Sequence, residues 1–174
     1  VVALLGAGLM IFAGVLNQAE AFHGIDLNTI SLLTGMMVIV AITQKSGVFQ
    51  YVAVKAAKVV KADPWGLLVM LSVVTALFSA LLDNVTTVLL IAPVTLLVCS
   101  RIGVRPELFL VAEAMVSNIG GVGTLIGDPP NIIIGSRAGL GFNDFLTNLA
   151  PLAVLLVGVF LLLSRLLFRS AFAV

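Results

Sequence analysis

Apolar runs alternate with short polar interruptions along the chain, and the spacing of those interruptions predicts its elements. Residues 1–16 (VVALLGAGLMIFAGVL) are uniformly apolar and predict a spanning helix ending at Asn17. A polar loop follows at 17–27 (NQAEAFHGIDL), where Asp26 and Asn28 suit the cap of the next helix. The second predicted span covers 28–44. In KSGVFQYVAVKAAKVVKAD (45–63), Val48, Phe49, Val52, Ala53, Ala56, Val59 and Val60 recur at helical spacing, while Lys55, Lys58 and Lys61 stripe another face. That pattern predicts an amphipathic helix over 47–61 lying in a membrane interface with its basic face toward headgroups. A solvent-facing helix packed on the protein is the plainer alternative.

Pro64 and Trp65 open the next segment, with the tryptophan suited to headgroup level. Residues 65–82 are apolar, LLDNVTT interrupts them, and 85–99 are apolar again. The second arm is about 22 Å long as a helix, against a hydrocarbon core of about 30 Å. A re-entrant hairpin over 65–99 is therefore expected, its tip at Asp83 to Thr87 stopping part-way through the bilayer. Two short spans joined outside would have the same ends. Residues 106–136 would run about 45 Å as one helix, too long for an untilted span, so a broken helix is expected there. A loop at 137–147 holds Gly139, Gly141 and Asp144, and a last span over 148–168 ends at Arg165 and Arg169.

The break has its own sequence cause. SNIGGVGTLIGDPPNIIIGS (117–136) contains Gly120, Gly121, Gly123 and Gly127, each weakening a helix by about 1 kcal/mol against alanine. Pro129 and Pro130 remove two backbone donors, and the first biases Asp128 away from helical dihedrals. At membrane depth such backbone survives only buried in protein or facing a water-filled cavity. A broken, polar-lined segment is a pointer to a transporter's binding site.

Composition fixes the setting. Hydrophobic residues are 61% of 174 and charged residues 10%, against about 45–50% and about 25% in soluble domains; mean hydropathy is +1.25. The chain reads as an all-α integral membrane protein, a single multi-pass transmembrane domain. Its nine basic residues form no patch of the density nucleic acid requires. The single cysteine, Cys99, excludes an intrachain disulfide and resembles no metal site, and no cofactor is expected. The apolar pattern begins at Val1, which reads as a fragment starting in or just before a span. Lys45, Lys55, Lys58, Lys61, Arg101, Arg105, Arg165 and Arg169 fall on one side of this layout and only Arg137 on the other. The positive-inside rule makes the first side cytoplasmic, so the hairpin enters and leaves from there.

Three carboxylates lie at membrane depth: Asp83, Glu113 and Asp128. Intramembrane charge is costly, so each is a functional candidate and all three could couple transport to protons. Each has a structural reading too: Asp83 or Asn84 as a helix cap, Asp128 as an N-cap ahead of proline, Glu113 as a hydrogen-bond partner of a neighbouring helix. Half-helix N-termini favour an anion, whereas unwound carbonyls with Asn and Thr oxygens suit a hard cation such as Na⁺. The candidate substrate- and ion-binding set is Asp83, Asn84, Thr86, Thr87, Asn118, Gly120, Gly121, Thr124, Asp128 and Asn131. His23, Cys99 and the methionines read as packing or loop residues, and Tyr51 and Trp65 as interface anchors.

LLDNVTTVLLIAPVTLLV (81–98), the 117–136 stretch and LGFNDF (140–145) together resemble the ion transporter superfamily. Within it the similarity is to permeases of the arsenite/Na⁺–H⁺ antiporter type, including relatives of the pink-eyed dilution P protein, alongside citrate-transporter-like families. The resemblance implies a secondary transporter of two inverted repeats, each with a re-entrant hairpin and a discontinuous helix meeting at mid-membrane. It implies that Asn84, Thr86 and Thr87 match the tip, and that Asn118, Gly120, Gly121, Thr124, Asp128, Pro129, Pro130 and Asn131 match the unwound helix. Only one copy of each motif is present, so the chain is expected to be the N-terminal half, needing the second half of the same transporter, in a homodimer.

The function expected is secondary active transport of a small inorganic ion or anion coupled to H⁺ or Na⁺, in a bacterial or archaeal inner membrane. Alternatives are a passive channel subunit and a di- or tricarboxylate symporter. An arginine clamp for carboxylates is missing from the proposed site. No serine–lysine or serine–histidine pair falls at membrane depth, and neither Asp83 nor Asp128 has a GxGD setting, so an enzyme is not expected.

Overall fold

A computed structural model describes residues 1–15, 17–25, 27–59 and 63–168. All regular structure among the described residues is helical: α1 (Val2–Phe12), α2 (Gln18–His23), α3 (Leu27–Lys45), α4 (Val48–Val59), α5 (Pro64–Leu81), α6 (Asn84–Ile102), α7 (Glu107–Val122), α8 (Pro129–Ala138), α9 (Phe142–Asn148) and α10 (Ala150–Leu167). Three of these, α5, α6 and α10, are long and apolar enough to cross a membrane. None of the residues of α1 is buried, and α10 buries only Ala153 and Ser164. Apolar stripes of that extent on the outside of a chain are meant for lipid or for more protein.

The packed centre is formed by α5, α6 and α7. Leu67, Leu68, Leu71, Leu90, Ile91, Cys99, Phe109 and Ala112 belong to one buried apolar cluster, flanked by Phe160 and Leu161 of α10. α5 and α7 run side by side in the same direction, with Ala76 against Gly120 and Ala80 against Thr124. Their backbones touch, because a Cβ on Gly120 would lie 2.5 Å from the Ala76 carbonyl oxygen. α6 returns antiparallel to both, placing Asn84 beside Asn118 and Thr95 beside Glu113. α10 also runs back: Ala150 and Ala153 lie by Gly123, and the Arg165 guanidinium stands 5.4 Å over the Trp65 ring. α9 packs against α10, and α8 against α3. Arg137 Nη2 donates to the Gly24 carbonyl (3.4 Å), joining the ends of α8 and α2.

Helix ends follow local chemistry. The Asp63 carboxylate accepts from Gly66 N–H at 2.7 Å, with Pro64 at the first helical position of α5. α6 ends at Gly103, whose φ of 75° is left-handed, the usual glycine stop. α4 packs against α5 and α6, with Ala53 fully buried and Lys55 and Lys58 exposed.

Several boundaries differ from those expected. α1 stops at Phe12, about 16 Å long, rather than filling 1–16. The 17–27 loop contains α2, started by a reciprocal cap: Glu20 N–H donates to Asn17 Oδ1 (2.8 Å) and Asn17 N–H to Glu20 Oε2 (3.0 Å). The 137–147 loop likewise contains α9, where Gly141 N–H donates to Asp144 Oδ2 at 2.7 Å. The second hairpin arm does not end at Cys99 but continues to Ile102. Its length is then about 28 Å, so shortness no longer argues for a tip stopping part-way. The Asp26 cap, Lys61 of the lysine stripe, and Arg169 lie outside the described residues.

Candidate functional site

The unwound segment is narrower than 118–131. α7 keeps helical backbone through Val122 and α8 begins at Pro129, leaving residues 123–128 between them. Asn118, Gly120 and Gly121 are therefore helical, and Asn131 sits in the first turn of α8. Gly120 and Gly121 act by their lack of a side chain. A Cβ on Gly121 would lie 2.7 Å from the Gly127 carbonyl oxygen, and one on Gly127 would lie 2.7 Å from the Ser79 carbonyl oxygen. Close tertiary approach outweighs the weak helix propensity of the two glycines.

The 123–128 turn is held by side chains. Thr124 Oγ1 donates to the Ala80 carbonyl (2.5 Å) and accepts from Gly127 N–H (3.1 Å). Asn131 Nδ2 faces the Gly121 (3.4 Å), Val122 (3.3 Å) and Thr124 (2.9 Å) carbonyls. Ser79 Oγ donates to the Ser117 carbonyl at 2.5 Å. Buried backbone groups freed by the break are thereby paired, as an apolar surrounding demands. Neither Ser79 nor the donor role of Asn131 toward the α7 end stood out in the sequence. Ser79 could be found only as a small polar residue on the buried α5 face with Ser72 and Thr75.

The tip meets the break directly. Asn84 Nδ2 donates to Asn118 Oδ1 at 2.7 Å, and Asn118 Nδ2 donates to the Ala114 carbonyl at 2.9 Å. Asp83 caps α6: Oδ1 accepts from Thr86 N–H (2.8 Å) and Oδ2 from Thr86 Oγ1 (2.5 Å). Asp128 occupies the corresponding position before α8 but makes no capping hydrogen bond; prolines at the first two helical positions offer no N–H, and the third, Asn131 N–H, is bonded to the Asp128 carbonyl at 3.0 Å. The two carboxylates are close enough to act on each other electrostatically. Thr87 is buried with its hydroxyl unpartnered. Glu113 lies deeper between the helices, away from the tip, where Thr95 Oγ1 donates to its Oε1. Beside the break, a cavity of about 300 Å³ is lined by Ala76, Ala80, Gly123, Thr124, Ala150 and Ala153.

Apolar helices on the outside and polar residues gathered at one helix break define a polytopic helical membrane protein. The chain belongs to the citrate transporter (CitMHS) family, whose profile it matches over residues 1–174. It is 57% identical over 165 residues to an uncharacterized transporter of Mycobacterium tuberculosis, covering 92% of this chain and 38% of the relative. A 46 kDa membrane protein of Mycobacterium leprae is 52% identical over 176 residues, covering 99% of this chain and 41% of that protein. The human P protein is 43% identical over 148 residues, 82% of this chain and 18% of the P protein. The chain thus spans less than half the length of these relatives.

Proposed function

We propose that the full-length protein is a secondary active transporter of a small ion or anion driven by H⁺ or Na⁺, and that the tip and break supply the cation-binding half of its site. The observation carrying this reading is the Asn84–Asn118 hydrogen bond, which joins the α5–α6 turn to the α7–α8 break. What these elements present is mostly acceptor oxygen. Asp83 already occupies Thr86 N–H, Asn131 N–H is bonded to the Asp128 carbonyl (3.0 Å), and Pro129 and Pro130 donate nothing. The dipole ends of α6 and α8 are thus poorly free for an anion, while paired carboxylates and amide oxygens suit a hard cation or a proton. The anion would be met by the rest of the protein. Arg137 points to Gly24 at the far end of α8, so an arginine clamp would also come from there.

Several further assignments belong to the same reading. The α5–α6 pair is a re-entrant hairpin whose tip meets α7 just before the break. α4 lies in the interface with Lys55 and Lys58 toward headgroups, a second inverted repeat completes the site, and the protein works as a homodimer in a bacterial inner membrane. Family membership makes citrate the first substrate to test, with a di- or tricarboxylate symport reading beside that of an inorganic ion such as arsenite.

The test is uptake by full-length protein in proteoliposomes, with citrate, a dicarboxylate and arsenite offered under imposed Na⁺ or pH gradients. Uphill accumulation of one solute under one gradient, lost in Asp128→Asn and Asn84→Ala, is expected. Downhill flux alone would establish a channel, and unimpaired variants would remove the tip and break from the site.

A further inference from the structure

Between the tip and the opposite end of α5, α6 and α7 lies a seam of polar groups that the break does not use. Glu113 is 1% exposed, with Oε1 accepting from Thr95 Oγ1 and Oε2 buried without a partner. Ser72, Thr75 and Thr87 hydroxyls are also buried and unpartnered. By the register that sets Ala76 against Gly120, Ser72 is level with Val116, one helical turn from Glu113. Thr87 sits one turn into α6 from Asn84. It is the farther one, about 12 Å from Thr95 along α6.

We infer that Glu113 is a proton-holding site in this seam, separate from the tip and break, with the Thr95 hydroxyl as its hydrogen-bond partner and Ser72 one helical turn away. The alternatives for a buried carboxyl are a cation partner, a proton, or an uncompensated charge. No lysine, arginine or histidine among the described residues forms an ion pair with it. α5 carries no ionisable side chain between Pro64 and Leu81, and α6 brings only buried Cys99 and exposed Arg101. α7 itself adds Glu107 at its start, and the α10 cation, Arg165, is engaged over Trp65. Cys99, the ionisable group near enough to interact, would carry only negative charge. An uncompensated carboxylate in such a setting costs several kcal/mol. A proton on Oε2 removes that charge from the buried group. Loading forms one O–H bond and takes the group from minus one to neutral; unloading reverses both.

The test needs no transported solute, so its failure is distinct from failure of the transport reading. Full-length protein in phosphatidylcholine vesicles is titrated from acid to alkaline buffer and followed by infrared difference spectroscopy. Expected is a protonated-carboxyl band that shifts in D₂O, bleaches reversibly on alkaline titration and is missing from Glu113→Gln. Thr95→Val serves where the glutamine variant does not fold, and should raise the frequency of the same band by removing its hydrogen bond. Identical spectra in wild type and Glu113→Gln, a band that neither exchanges nor titrates, or no shift in Thr95→Val would each overturn the assignment.

Discussion

Replacing Gly120 with alanine sets two effects of opposite sign against each other. In a helix, alanine is favoured over glycine by about 1 kcal/mol, and Gly120 lies in the last turn of α7. The new Cβ, however, would lie 2.5 Å from the Ala76 carbonyl oxygen, 2.7 Å from Ala76 Cα and 2.9 Å from its carbonyl carbon. Non-bonded carbons settle at about 3.5–4.0 Å, so α5 and α7 must part by about 1 Å. All three obstructing atoms are backbone, which cannot rotate away as a side chain could. Overpacking of this kind costs about 1–3 kcal/mol, with the upper half fitting a clash against a rigid helix. The net expectation is destabilisation by about 1–2 kcal/mol after the propensity gain. Gly158→Ala in α10 is the matched control, since nothing lies within 4 Å of its added Cβ; it should be neutral or stabilising. Thermal unfolding of the full-length protein in detergent should rank Gly158→Ala at or above wild type and Gly120→Ala below it. If Gly120→Ala unfolds at or above the wild-type temperature, the two backbones are not in contact and the register drawn here is wrong.

Other substitutions separate the parts of the site. Thr124→Val removes the hydroxyl that pairs the Ala80 carbonyl and Gly127 N–H; leaving such groups unpaired should cost about 1–3 kcal/mol, read as a lower unfolding temperature. Asn131→Leu deprives three carbonyls of one shared donor and should reduce uptake more than the distant cap variant Asp63→Ala does. Asp63→Ala should itself cost about 0.5–2 kcal/mol of stability while leaving substrate affinity unchanged. Asp83→Ser keeps an N-cap oxygen but removes the charge, so near-wild-type stability with impaired cation dependence of uptake is expected; full retention of cation dependence would reduce Asp83 to a cap.

How much of this was legible in the sequence differs by feature. The apolar helices and the break follow from long apolar runs and from prolines and glycines, whose backbone effects are local and need no partner to be read. Helices α2 and α9 are short and polar and owe their start to capping pairs, Asn17 with Glu20 and Gly141 with Asp144. Those spacings are visible, but hydropathy alone passes over them. The break is shorter than its glycines suggest for a different reason. Gly120 and Gly121 read as helix breakers by propensity, yet their helical geometry is paid back by contact with Ala76 and Gly127, residues remote in sequence or beyond the turn. Pairings of that sort, like Ser79 with Ser117, depend on register between helices and have no one-dimensional signal.

The hydrogen bonds also divide the candidate residues by what they have left to offer. Thr86 is committed to Asp83, Thr124 to Ala80 and Gly127, and the Asn131 amide nitrogen to the α7 end. Asn84 and Asn118 are bonded to each other. These residues shape the site, and a ligand would have to displace a bond to engage them through the same atoms. Asp128 differs: the N–H that corresponds to that of Thr86 is Asn131 N–H, and it is bonded to the Asp128 carbonyl rather than to its side chain. The double proline restarts the helix after the break, and the Asn131 N–H turned to the Asp128 carbonyl leaves a half-buried carboxylate without a capping bond beside the tip. On that physical ground Asp128 is the residue whose loss should fall most on binding and least on folding.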